Sequence, residues 1–347
     1  MKLYSLNDIL ESFDVASWLE GESTDMDRAI QKNVADIIGK TVIFDTEFLI
    51  PSPEKDKGFP GWPKNTRISK KICSFYVDSL NFKSVQIVDE FGNIFRETDT
   101  YTINVPSFML KDWVDAEGKT RRQIDCYIPD YVKYFNSKSV KLKIFITFKE
   151  DSEVIDLNYT FYQCADLLNV NNVSFDFSIS NLNISARNMF QDCKNLRNVR
   201  NFDMRGIVDM SYMFDECKNL QDFEEEIRID ACNELDFCFY GCKSLISPSI
   251  RQIRGGNAST YFSMISAFQA CTGLKHIDLF WTEPDDVPDY IDISQAFDEC
   301  PAMSDKDLSI WGMIRYEGYS DPYLREEFEG RDGGSDGLGP YLKASLA

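Results

Sequence analysis

The chain has one histidine, His276, five residues after Cys271. A cysteine nucleophile needs such a base within reach. Cys271 belongs to an apolar motif that points inward, and His276 falls between two inward residues and so points outward. No catalytic residue is assigned to the pair. Ten cysteines invite a search for zinc, which wants paired Cys-x-x-Cys or Cys/His spacings. The motif cysteines instead lie a whole repeat apart, and the one close pair, Cys238-x-x-x-Cys242, has no partner pair. The thiols therefore read as small, soft packing groups, and neither a metal ligand nor a cofactor is expected. Glu224-Glu225-Glu226 and Asp285-Asp286 read as solvated loop faces, and no pair of carboxylates is singled out by spacing as an acid/base dyad. Gly330 to Gly339 does not sit between a strand and a helix, so it fails the context of a phosphate loop. Asp332-Gly333-Gly334-Ser335-Asp336-Gly337 is similar to a calcium-binding nonapeptide, but in one copy only.

The elements that must position these groups repeat along the chain. Phe161-x-x-Cys164-x-x-Leu167 returns as Phe190-x-x-Cys193-x-x-Leu196, Phe214-x-x-Cys217-x-x-Leu220, Phe239-x-x-Cys242-x-x-Leu245, Phe268-x-x-Cys271-x-x-Leu274 and Phe297-x-x-Cys300-x-x-Met303. Successive phenylalanines are 29, 24, 25, 29 and 29 residues apart, within the range of stacked coils. In the second and third copies Met189/Phe190/Cys193 and Met210/Met213/Phe214/Cys217 sit three and four apart, which predicts one face of a short helical turn aimed into the stack. The motif leucine opens a second apolar pattern, Leu196-x-x-Val199, Leu220-x-x-Phe223 and Leu274-x-x-Ile277-x-Leu279, read as a short extended segment. No copy buries its apolar edge alone, so stability must come from stacking phenylalanine on phenylalanine and leucine on leucine.

The run from Val208 to Leu220 resembles the repeat of the bacterial surface-protein type of leucine-rich repeat, the BspA-like group, and Ile265 to Ile277 resembles the same group in its commonest form. The resemblance covers about residues 155–305 and leaves 1–150 and the tail outside it. It implies a non-catalytic protein that binds other proteins or host surfaces. Many such proteins carry an export signal, and the start of this chain, Met1 to Asp8, lacks the charged-then-apolar order of one. The expectation is synthesis in the cytoplasm without a signal peptide, with incorporation in a virion as one destination. Under that expectation the sequons at Asn158, Asn172, Asn183 and Asn257 carry no meaning.

Before the repeats, Ile30, Val34, Ile37 and Ile38 recur at helical spacing after a Thr24 or Asp25 cap, with Gly39 to end the helix, and Leu6, Ile9, Leu10 and Phe13 suggest a shorter one. From Thr41 to about Glu150 the apolar runs are short and rich in β-branched and aromatic residues: Val42 to Phe44, Ile72 to Val77, Val85 to Val88, Tyr101 to Val105 and Val140 to Phe148. Phe91-Gly92-Asn93 and Glu117-Gly118-Lys119 read as turns, and Pro51 to Pro63 as a loop carrying Trp62. The expected class is thus α+β/mostly β: a helical segment over 1–40, a β-rich, sandwich-like docking domain over 41–150, a leucine-rich-repeat solenoid of six coils over 151–316, and an acidic Gly-rich tail over 317–347.

Charge narrows the partners. With 37 basic and 57 acidic residues the chain carries a net charge of −20, which repels phosphate backbones and anionic lipid, so no nucleic acid is expected. No run approaches the roughly 18 uncharged apolar residues of a spanning helix, so no membrane insertion is expected either. The expected function is a non-enzymatic protein–protein interaction or scaffold protein. A structural or receptor-contacting subunit of a large particle such as a phage virion is the alternative, and a glycan-acting enzyme with paired carboxylates the second. The expected partner-binding ladder is Arg197-Asn198, Gln221-Asp222 and Lys275-His276, with Leu168-Asn169 from the first copy. Tyr240, Tyr261 and Trp281 are further contact candidates.

Overall fold

Two-residue alternation decides the first long strands. In Lys40–Leu49 (β1) Val42, Phe44, Thr46 and Phe48 are buried, and in Ser139–Phe148 the same rhythm buries Val140, Leu142, Ile144, Ile146 and Phe148. The computed structural model describes residues 40–50, 70–90, 94–97, 107–128, 138–177, 183–252, 261–281, 290–292, 294–302 and 308–311. In chain order the strands after β1 are β2 (Lys70–Asp78), β3 (Phe82–Asp89), β4 (Ile94–Glu97), β5 (Ser107–Val114), β6 (Thr120–Ile128), β7 (Ser139–Phe148), β8 (Val154–Asp156) and β9 (Leu167–Phe175). Shorter ones follow: β10 (Asn183–Ser185), β11 (Asn198–Val199), β12 (Ile207–Asp209), β13 (Ile227–Arg228), β14 (Ser249–Gln252), β15 (Tyr261–Ser263), β16 (Ile277–Trp281), β17 (Tyr290–Asp292) and β18 (Leu308–Trp311).

One nine-stranded sheet takes the order β11-β9-β1-β7-β3-β4-β5-β6-β2, and three small parallel sheets follow as β12-β10-β8, β13-β14-β16-β18 and β15-β17. The large sheet runs across residue 151, because β1 pairs antiparallel with both β7 and β9 and β9 pairs parallel with β11. Asp115 shapes the β5–β6 turn: its Oδ1 accepts the N–H groups of Glu117 (3.0 Å) and Lys119 (2.8 Å), and Gly118 takes φ +81°.

The expected class is corrected here. Among the described residues there is no α-helix, and in place of a sandwich-like domain and a six-coil leucine-rich-repeat solenoid the strands form one large sheet and three small ones. The apolar faces of β1 and β7 lie in the same contiguous core as the motif residues, so the large sheet closes on the repeats and not on a second sheet of its own. The expected helices of 1–39, the loop with Trp62, the strand at Tyr101 to Val105, the turn at Phe91 to Asn93 and the tail lie outside the described residues. The β5–β6 hairpin is a pair of strands that the reading of apolar runs missed.

The predicted helical turn in each repeat is also corrected, and its replacement explains the spacing. Met189, Gln191, Cys193 and Leu196 each donate a backbone N–H to the carbonyl three residues back, as β-turns do. Left-handed residues two before and two after each motif phenylalanine keep these turns from joining into a helix: Tyr159 and Gln163, Asn188 and Asp192, Tyr212 and Glu216, Phe237 and Gly241, Ser266 and Ala270, Gln295 and Glu299. Each non-glycine residue there costs roughly 1 kcal/mol. Bonds between repeats offset that cost. The N–H groups of Tyr159, Phe161 and Gln163 donate to the carbonyls of Arg187, Met189 and Gln191 in the next repeat, at 2.9, 2.7 and 2.8 Å. The same three bonds recur at every step as far as Ser266, Phe268 and Ala270.

The motif rings form one column. Phe161, Phe190, Phe214, Phe239, Phe268 and Phe297 stack with centroids 5.1–5.6 Å apart and planes within 12° of parallel. The large sheet closes its first end: Phe44 meets Phe161 edge-on at 5.3 Å, and the Tyr76 N–H donates to the Thr160 carbonyl at 2.8 Å. Thr160 holds the place that Met189 holds in the next repeat, so β2 supplies the donor that a preceding repeat would.

Candidate functional site

The motif cysteines have a structural task beyond size. Cys193, Cys217, Cys242, Cys271 and Cys300 each donate Sγ–H to the carbonyl of the previous motif phenylalanine, at 3.0–3.1 Å. Burial, first of all, pushes these thiols up, to about 12 for Cys300 and higher for Cys217 and Cys271. A neutral donor held in the core is the opposite of an activated nucleophile. Among the described residues no three His, Cys, Asp or Glu side chains gather as a metal-binding group.

Seven and eight residues after each motif phenylalanine the chain reaches the surface, and the backbone sets these positions in a row. Arg197 N–H donates to the Leu168 carbonyl and Gln221 N–H to the Arg197 carbonyl, both at 2.9 Å. Asp222 Oδ1 accepts the N–H groups of Ile246 and Ser247, both at 2.8 Å, and Lys275 N–H reaches the Ile246 carbonyl at 2.8 Å. The row therefore runs Leu168, Arg197, Gln221, Ile246, Lys275. All six residues expected to bind a partner lie along it: Arg197, Gln221 and Lys275 are exposed, and Asn198, Asp222 and His276 are half-buried. Two of them also hold the row together, Asp222 as above and Asn198 through an Nδ2 bond to Asn169 Oδ1 at 2.9 Å.

The sequence reading missed Ile246, 45% exposed in the fourth repeat, although the same offset from Phe239 points to it. It also missed Lys194, Lys218 and Lys243, which follow three successive motif cysteines. Asn195 Nδ2 donates to the Ala165 carbonyl (2.9 Å), Asn219 Nδ2 to the Lys194 carbonyl (2.6 Å) and Ser244 Oγ to the Lys218 carbonyl (2.9 Å), so the lysines form a second row beside the first. In the fifth repeat the lysine's place is taken by Thr272, and the place of Asn195, Asn219 and Ser244 by Gly273, where a Cβ would come within 2.3 Å of the Lys243 carbonyl oxygen. Glu224 and Glu225 are exposed, and Glu224 pairs with Arg200 at 2.6 Å. Of the aromatic candidates, Tyr261 is exposed and Tyr240 half-buried, while the Trp281 side chain lies outside the described residues.

A second polar cluster sits where the large sheet meets the first repeat. Arg121, fully buried, binds Asp115 through Nε at 2.7 Å and Asp156 through Nη1 at 3.0 Å, and its guanidinium lies 5.0 Å from the centre of the Tyr159 ring. Lys119 reaches Asp156 at 2.5 Å. Burial would raise the Asp115 carboxyl, but the Lys119 N–H and the Arg121 guanidinium outweigh it and hold it below its ordinary value. Arg121 Nη2 is buried without a hydrogen-bond partner, and a reading of apolar runs misses the cluster because its charges interrupt those runs and Asp156 joins it from 35 residues beyond Arg121.

A family model described as "Mycoplasma protein of unknown function, DUF285" matches residues 132–252 and, overlapping, 184–311, so that together the matches span more than half of the chain. No curated protein and no solved structure matches.

Proposed function

The chain belongs to the family described as Mycoplasma protein of unknown function, DUF285, and we propose that it is a non-enzymatic protein that binds or scaffolds a protein partner through the outward row of its repeats. The observation that carries this reading is the row itself: Leu168, Arg197, Gln221, Ile246 and Lys275 stand one repeat apart, fixed by backbone bonds and by Asp222. A pre-set row of side chains binds without the entropy cost of ordering loops. The repeat's resemblance to the BspA-like group, whose members generally bind proteins, points the same way. The cysteines, a chemist's first choice of nucleophile here, are committed to backbone carbonyls.

A photocrosslinking residue at Gln221, introduced into the protein in its native source, tests the reading against the same residue at Lys83 on β3. Gln221 should capture a discrete protein, identified by mass spectrometry, and Lys83 should not. Equal capture from both positions, or none from Gln221, would overturn it. Sedimentation of the captured species separates a free complex from a subunit of a large particle.

A further inference from the structure

Resting on that protein-binding reading, we infer that the face selects an extended acidic peptide segment of its partner, with an apolar residue near the segment's centre. The chain as a whole carries a charge of −20, yet the cations on this face are gathered in two adjacent rows. Lys194, Lys218 and Lys243 stand in successive repeats four residues after the motif phenylalanine, with Arg197 and Lys275 three residues further along their own repeats. Lys194 and Lys218 are shared with Asp192 and Glu216, at 3.2 and 2.6 Å. Arg197, Lys243 and Lys275 are exposed and make no ion pair among the described residues. The carboxylate on the row, Asp222, is turned to the N–H groups of Ile246 and Ser247.

The size and shape of the face follow from the stack. Neighbouring strands lie about 4.8 Å apart, so the three steps from Arg197 to Lys275 span about 14 Å, the length of four or five extended residues. Ile246 stands between Gln221 and Lys275, 45% exposed, and offers an apolar contact with Lys275 next along the row and Lys243 three residues earlier in its own repeat. A short acidic segment fits within that length. A nucleic acid would run beyond it into a surface of its own sign, and longer polyanions lose more to that repulsion.

The probe is a fluorescein-labelled decapeptide of aspartate and glutamate with leucine at its centre, titrated against the full chain by anisotropy. Controls are the same peptide with asparagine and glutamine in place of the acids, and a single-stranded oligonucleotide of equal charge. The acidic peptide should bind, more weakly as salt rises. Joint substitution Arg197→Glu, Lys243→Glu and Lys275→Glu should weaken it about tenfold, because three exposed charge contacts are lost and three like charges put in their place. Lys83→Glu, Arg122→Glu and Lys149→Glu impose the same charge change elsewhere and should leave binding within about twofold. The glutamine versions of the three face substitutions keep the test alive if the reversals unfold the chain. Equal binding of the amide peptide, equal weakening by the control set, or tighter binding of the oligonucleotide would overturn the inference. Capture of a protein from Gln221 without any acidic-peptide binding overturns it while leaving the protein-binding reading standing; failure of both removes both.

Discussion

Asp215 follows the motif phenylalanine of the third repeat and is 8% exposed. Its Oδ2 accepts a bond from Gln191 Nε2 at 2.6 Å, and its Oδ1 has no hydrogen-bond partner. Burial, with the nearby charges of Glu216 and Asp192, pushes the carboxyl up to about 6, against the lowering effect of Gln191. Lys194 and Lys218 face this cluster too, bound to Asp192 and Glu216. The folded chain therefore holds a proton that an unfolded aspartate releases near pH 4. This group's contribution to stability is full below about pH 4 and is lost as pH rises through about 6. Asp215→Asn should raise the thermal midpoint at pH 8 and remove part of the slope between pH 4 and 7, each recovered kcal/mol giving about 2–4 °C in a unit of this size. A wild-type slope retained in the variant would mean that Asp215 ionises normally. The thiols make a second prediction at this scale. With their pKa values raised by burial, Cys193, Cys217, Cys242, Cys271 and Cys300 should stay silent toward a thiol reagent at pH 8 and react only after unfolding, which mass spectrometry of the labelled peptides reads directly.

Each repeat depends on turns that a helix-based reading cannot see. The three-and-four spacing of Met189, Phe190 and Cys193 fits a helical face and a chain of β-turns equally, since both return the backbone about every three residues. What separates them is the left-handed pair around each phenylalanine, and its sequence trace is faint: only Gly241 among the twelve positions is a glycine. The motif itself, its inward phenylalanine, cysteine and leucine, and the strands β1, β2, β3 and β7 were legible because each carries its apolar residues close together in sequence, alternately buried in β1 and β7. Hairpin β5–β6 was not, because Asp112, Asp115, Arg121 and Asp125 break its apolar pattern with charges that pair mainly across the hairpin itself, Asp112 with Arg122, Asp115 with Arg121 and Asp125 with Lys111. Phe214 tests the column. It lies between Phe190 at 5.3 Å and Phe239 at 5.4 Å, with Phe223 edge-on at 5.7 Å. Phe214→Ala should cost about 3–5 kcal/mol by leaving a cavity that stacked rings on both sides cannot collapse into. An unchanged denaturation midpoint would refute the stacking model.

At the scale of the molecule, Arg121 is the tie between the large sheet and the repeats. Its two carboxylate partners come from opposite sides of the junction, Asp115 from the β5–β6 turn and Asp156 from β8. Removing the cation leaves Asp115 without its guanidinium and Asp156 with Lys119 alone, a loss of about 3–5 kcal/mol by analogy with other broken buried pairs. Arg121→Ala should therefore destabilise the sheet and the first repeats together. Hydrogen exchange would show amides of β6 and of residues 154–164 losing protection in parallel. If only β6 lost protection, the two regions would be independent units. The −20 charge acts at this scale as well, since like-charged copies of the chain repel one another.

The backbone bonds between repeats are the same three at every step, and they involve no side chain. Insertion or loss of one whole unit, such as the 24 residues from Gln191 to Phe214, rejoins a left-handed turn to an identical one and restores every bond across the seam. Loss of half a unit restores none. A lineage can thus lengthen or shorten this molecule by counting, adding one position to the outward row per unit copied, while the sheet at one end and the chemistry of each step stay as they were.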